Sequence, residues 1–150
     1  LTLNQLYDHA LQFWGRPYIW AGDGSVLYEG GLDCSGLVQL ILEPARLDPP
    51  GDQTAHSLYL HFLHEAEEGR GTLNLGGLGA LAFFGKPSRI IHVGFCIDRR
   101  IMLNASGGGR DITSVEIARQ HNASVKLEPI LRRSDLVATI MPDYVSRGIF

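Results

Sequence analysis

Apolar positions recur at helical spacing from Thr2 to Trp14, putting Leu3, Leu6, Tyr7, Ala10, Leu11 and Trp14 on one face, with Trp14 in the core. Thr2 and Gln5 fit a capping box, and Gly15 followed by Pro17 ends the segment. From Arg16 to Leu32 the chain is glycine-rich and too irregular for a regular element. Cys34–Leu42 reads as a short helix closed by Pro44, apolar on nearly every side and therefore buried mid-fold. Thr54–Glu68 is a third helix, with Ala55, Leu58, Tyr59, Phe62, Leu63 and Ala66 as its stripe, followed by loop from Gly69 to Gly79. The pattern then changes to short apolar runs between turn signals: Ala80–Phe84, Ile91–Ile97, Ile101–Ala105, Ser124–Leu127 and Leu136–Met141. Thr113 with Glu116 suggests a cap for a small helix ending near Gln120. Helices first and a meander after predict an α+β fold, helices packed on an antiparallel sheet of about five strands. With no repeat or interior linker, residues 1–150 are expected to form one domain.

This pattern puts Cys34 where a polar loop becomes an apolar helix, with Asp33 as N-cap. Unpaired N–H groups and partial positive charge at a helix N-terminus favour thiolate, so Cys34 is the candidate nucleophile. A buried helix with its reactive group on the first turn is a rigid mount.

The candidate base is His92. Alternation along its strand puts Val93, Phe95 and Ile97 on one face and His92, Gly94 and Cys96 on the other. The small neighbours of His92 are expected to let the Cys34 helix approach. A hairpin at Asp98-Arg99-Arg100 would set Asn104 beside His92, giving a thiol, an imidazole and an amide to orient it.

Pro17-Tyr18-Ile19-Trp20-Ala21-Gly22, Leu32-Asp33-Cys34-Ser35-Gly36-Leu37-Val38, Gly79 to Gly85, Ile91-His92-Val93-Gly94-Phe95 and Asn104-Ala105-Ser106 resemble, in order, the motifs of the NlpC family. These are papain-like cysteine peptidases that cut the peptide stems of bacterial cell walls. The resemblance implies a papain-like fold, with Cys34 as nucleophile, His92 as base and then acid, and Asn104 as third member. It implies further that Tyr18, Asp33 and Ser35 line a pocket for the stem's free amine, with Trp20 in the same loop. Asp33 then has two jobs, cap and counter-charge, compatible only if its oxygens divide between them. The expected partner is a peptidoglycan stem peptide, the expected bond that from γ-D-glutamate to a diamino acid, and the expected place of action the cell wall. No cofactor is implied. Three departures stand out: a long loop from Tyr18 to Cys34, Ala80 where relatives commonly carry aspartate, and no glutamine shortly before Cys34.

Composition narrows the alternatives. A net charge of −3 and no basic cluster longer than Arg132-Arg133 argue against nucleic acid as partner. No apolar run approaches the roughly 20 residues of a membrane span. Two cysteines are too few for a disulfide scaffold, and both read as free thiols. A chain beginning at Leu1 is expected of a processed or trimmed piece, so wall targeting would come from further segments or a delivery partner. His61 and His64 share a helix but lie opposite its apolar stripe, which reads as a solvated face, not a metal site. Gly107-Gly108-Gly109-Arg110 lacks a phosphate-loop context and reads as a rim beside Asn104. Two other functions fit the same residues. The same Cys/His pair would serve an amidase or acyltransferase, and an occluded pocket would leave a non-catalytic module of a phage tail or secreted assembly.

Overall fold

The computed structural model describes residues 1–150. Helices α1 (Leu3–Leu11), α2 (Cys34–Leu42) and α3 (Ala55–Glu67) precede strands β1 (Thr72–Leu73), β2 (Leu81–Lys86), β3 (Arg89–Cys96) and β4 (Ile101–Ser106); α4 (Val115–Gln120), β5 (Ser124–Pro129) and β6 (Leu136–Met141) follow. All pairings are antiparallel, in the spatial order β1-β6-β2-β3-β4-β5. The fold is α+β as expected, with one strand added. That strand, β1, falls in the stretch read as loop; two exposed residues, paired with Met141 and Ile140, are too few to show a period.

Capping chemistry sets the helix ends. The Gln5 N–H donates to Thr2 Oγ1 at 3.1 Å and the Thr2 N–H to Gln5 Oε1 at 2.8 Å. However, α1 stops at Leu11, so Trp14 leaves the helical projection and is 58 % exposed, while Phe13, at 8 %, fills the core in its stead. α4 starts one residue later than expected: Ser114, not Thr113, is the cap, accepting the Ile117 N–H at 3.2 Å.

One core cluster joins α1, α2 and α3 to one side of the sheet, through Leu37, Val38, Phe62, Phe83, Val93 and Phe95 among others. A second, including Ala80, Ala82, Phe84, Cys96 and Met102, covers the alternate side. The small residue beside His92 therefore does not admit α2, which packs on the Val93 and Phe95 side. A Cβ at Gly94 would lie 2.5 Å from Met102 Sδ and 3.3 Å from Asn104 Cβ, so the glycine makes room for β4 side chains instead.

Two features prepare the site. First, β3 and β4 pair only at Phe95–Leu103 and Cys96–Met102, although both strands continue beyond; β4 meanwhile stays paired with β5 from Ile101 to Ser106. The sheet thus splits between His92 and Asn104. Second, the segment read as irregular loop is stitched down. The Tyr18 N–H donates to Ala123 O at 3.0 Å, the Val125 N–H to Arg16 O at 2.8 Å, and Pro17 bridges Ser124. Asp23 bridges Leu32, closing a small loop with exposed Val26 and Leu27 at its tip.

Candidate active site

The tip of α2 is locked before any chemistry is considered. Asp33 Oδ1 accepts the Gly36 N–H at 2.6 Å and the Ser35 hydroxyl at 3.2 Å, while the Asp33 N–H donates to Gly22 O at 3.0 Å. A Cβ at Gly36 would lie 2.2 Å from Gly22 O, so only glycine lets the first turn sit against that strand of loop. Both cap bonds fall on Asp33 Oδ1, and Oδ2 accepts no hydrogen bond within the chain. Burial raises the Asp33 carboxyl to about 6, against the lowering effect of the Gly36 and Ser35 donors.

Cys34 is partly exposed at this tip and unpaired with Cys96. Burial of the sulfur, then the neighbouring Asp33 charge, push the thiol up to about 11, outweighing the N–H groups of Val93, Ser35 and Cys34 itself. The helix tip alone therefore does not make a resting thiolate, which corrects the expectation drawn from its dipole. Val93 is the neighbour of His92 at the split in the sheet, and its N–H joins the donors around the sulfur.

Across the split, His92 Nε2 and Asn104 Oδ1 are 2.7 Å apart. Asn104 Nδ2 donates to Lys126 O at 3.3 Å and to Glu128 Oε1 at 3.1 Å. Both of those partners only accept, so the amide must present its oxygen to the imidazole, and Nε2 must carry the proton. Nδ1 is then the free basic nitrogen. Burial depresses His92 to about 4, opposed by the Asn104 bond; it is a neutral imidazole at neutral pH. His56 fixes the start of the same strand, its Nδ1 accepting the Ile90 N–H at 3.0 Å.

Tyr18, Trp20, Asp33, Cys34, Ser35, His92 and Asn104 all border one cavity of about 890 Å³. Tyr18 is buried, with its phenol pushed up by burial and the nearby Cys34 and Asp33. Trp20 is partly exposed, with the Arg110 guanidinium 5.8 Å above its ring. Asp52 lies on the cavity wall with Asp33, and Arg89, Arg110 and Arg133 supply cations. No group of three His, Cys, Asp or Glu side chains is placed to hold a metal ion; His61 packs edge-on against Phe62 and His64 is exposed. No helix is long and apolar enough to cross a membrane.

Sequence reasoning missed Glu128 and the Val93 N–H. Glu128 is an acidic residue on an inward position of β5, a signal visible in the chain, but its meeting with Asn104 depends on the β4–β5 register, in which Asn104 faces Lys126 and Met102 faces Glu128.

Solved structures share this arrangement of elements. The NlpC/P60 domain of the peptidoglycan hydrolase SagA superposes with a TM-score of 0.61 at 20% identity, covering 93% of this chain and 98% of that one. The P60 domain of an antigen from M. avium subspecies paratuberculosis gives 0.65 at 20% identity, covering 95% and 94%. The peptidoglycan hydrolase RipB from Mycobacterium tuberculosis gives 0.63 at 23%, covering 93% of this chain but 63% of that one. A lipoprotein-like NLP/P60 family protein from Staphylococcus aureus is matched over 41% of its length. No curated protein matches the chain in sequence. The NlpC/P60 family model matches residues 15–127, from the turn after α1 to the middle of β5. This span holds Cys34, His92 and Asn104 together with the split sheet between them, and the chain belongs to the NlpC/P60 family.

Proposed function

We propose that the protein is a peptidoglycan hydrolase, and specifically a cysteine endopeptidase that cuts the amide between γ-D-glutamate and a diamino acid in stem peptides. The observation that carries this reading is the 2.7 Å bond between His92 Nε2 and Asn104 Oδ1, which leaves Nδ1 as the basic nitrogen of a ring that lines the same cavity as Cys34. Two relatives of the same fold, SagA and RipB, are described as peptidoglycan hydrolases.

The reaction starts from neutral partners. Cys34 Sγ attacks the scissile carbonyl as its proton passes to His92 Nδ1, and the tetrahedral oxyanion is met by backbone N–H groups at the α2 tip. The imidazolium gives that proton to the departing amine, the C–N bond breaks, and a thioester remains on Cys34. Water, deprotonated by His92, attacks the thioester; the second tetrahedral adduct expels the sulfur, which recovers its proton from the imidazolium. Asp33 Oδ2 suits the ammonium of a free stem terminus. Arg89 and Arg110 suit the carboxylates of γ-linked glutamate and a diamino diacid.

Cys34→Ala is expected to lower stem-peptide cleavage by at least about a thousandfold with an unchanged melting transition. Mass analysis of the products should find a new free amine on the diamino acid with the wild-type protein only. A product lacking that amine would point to an amidase or acyltransferase, and full turnover by Cys34→Ala would refute the thiol mechanism.

A further inference from the structure

Glu128 is 5 % exposed and comes from β5, outside the motifs that carry the family resemblance. Its Oε1 accepts from Asn104 Nδ2, and its Oε2 pairs with Arg132, whose side chain is 65 % exposed. Stability alone does not account for a carboxylate here. Desolvating the ion costs several kcal/mol, an arginine reaching in from the surface returns only part of it, and Met102, directly across the ladder, shows that apolar packing is available. The charge sits one amide away from the imidazole that must become a cation during acyl transfer. An amide third member can orient that ring but brings no negative charge of its own.

We propose that Glu128 is a positioning residue for His92: it holds the Asn104 amide in the one orientation that leaves Nδ1 basic, and its carboxylate supplies the counter-charge to the imidazolium. Two acceptors, Lys126 O and Glu128 Oε1, hold the amide, so a flip would break both bonds and the one to His92. The other ionisable groups that act on His92 are Arg133 and Asp135 on the connection into β6, with Cys34 on α2 bordering the same cavity; Arg133 lowers and Asp135 raises the imidazole's affinity for protons. These two are bound to each other, Arg133 Nε and Nη2 each 2.9 Å from an Asp135 oxygen, and so largely offset. Arg132 tempers Glu128 from outside, which makes it a separate handle on the same charge.

The proposal rests on the Cys34/His92 reading of the site, but its principal test needs no substrate. In protein carrying labelled histidine, the His92 ring is assigned by its loss in His92→Asn, and its titration midpoint is followed by NMR. Glu128→Gln keeps an acceptor for Asn104 and removes the charge, so the midpoint should fall by roughly half a unit or more. Arg132→Gln leaves the carboxylate less compensated, and the midpoint should rise. In stem-peptide cleavage, Glu128→Gln should lower kcat/KM on the order of tenfold and move the acid limb of its pH profile to lower pH. An unchanged or raised midpoint in Glu128→Gln overturns the proposal, even if that variant melts at lower temperature. If Glu128→Gln does not fold, Arg132→Gln decides: a rise supports the proposal, and no change or a fall refutes it. A wild-type protein that cleaves nothing, yet shows these midpoint shifts, refutes the proposed reaction and leaves Glu128 standing.

Discussion

Cys34 at about 11 and His92 at about 4 describe a site that stores no ion pair at rest. A helix terminus is worth about 0.3–1 kcal/mol to a nearby charge, whereas each unit of pKa corresponds to about 1.4 kcal/mol. The rise of the thiol from its ordinary 9.0 therefore exceeds what the α2 tip returns. The position of Cys34 at a helix start was legible in the sequence, because Asp33 and the apolar run after it mark the boundary. The depth of the sulfur was not, since it follows from the packing of α2 on β3, whose Val93 N–H reaches the thiol from a distant part of the chain. Asp33 offers a test at this scale. Burial raises its carboxyl from 3.8 to about 6, so its ionised form costs stability at neutral pH. Asp33→Asn keeps a good helix cap and is expected to raise the Tm at pH 7.5 by a few degrees, while raising KM for stems with a free amine and not for N-acylated ones. Melting curves and a paired substrate series would check both halves.

Among the elements, the separation of β3 from β4 is the feature that creates the site, and no local pattern announced it. Strand alternation did place His92 opposite Val93 and Phe95, and the turn at Asp98 did bring Asn104 to its ring. What period could not show is where a ladder ends, because pairing is a property of two strands. Hence the alternation alone points Gly94 at α2, whereas its missing side chain accommodates Met102 and Asn104. Gly94→Ala is therefore expected to cost roughly 1–3 kcal/mol by overpacking. Met102 can yield at its flexible end, but Asn104 Cβ cannot move without disturbing the amide, so kcat should fall on the order of tenfold while KM changes little. Denaturant unfolding together with steady-state kinetics would separate the two effects. β1, by contrast, went unseen simply because two residues carry no period, and it bears nothing on the site.

For the molecule as a whole, two buried groups make the stability respond to acid in opposite senses. His92 is shifted down from 6.5 to about 4, so as pH falls through that interval the unfolded chain takes up a proton that the folded one refuses, and stability is lost. Asp33 is shifted up by a similar amount, so as pH falls from about 6 to 3.8 the folded chain binds its proton first, and stability is gained. The two contributions nearly cancel in the wild type. Removing one should expose the other: between pH 6.5 and 4 the Tm of Asp33→Asn is expected to fall relative to that of the wild type, and the Tm of His92→Gln to rise relative to it. A pH series of melting temperatures for the three proteins measures this directly, and parallel curves would refute it.

The bridge between Asp23 and Leu32, backed by the Gly24 N–H on Gly31 O at 2.9 Å, has an architectural consequence. It acts as a neck. The segment distal to it carries the apolar tip at Val26 and Leu27 and has a further tie, the Val115 N–H donating to Glu29 Oε2 at 3.4 Å, while Tyr18 and Asp33 are anchored on the proximal side to Ala123 and Gly22. Because no residue from Asp23 to Gly31 lines the cavity, lengthening, trimming or exchanging that appendage would leave in place the groups that handle protons.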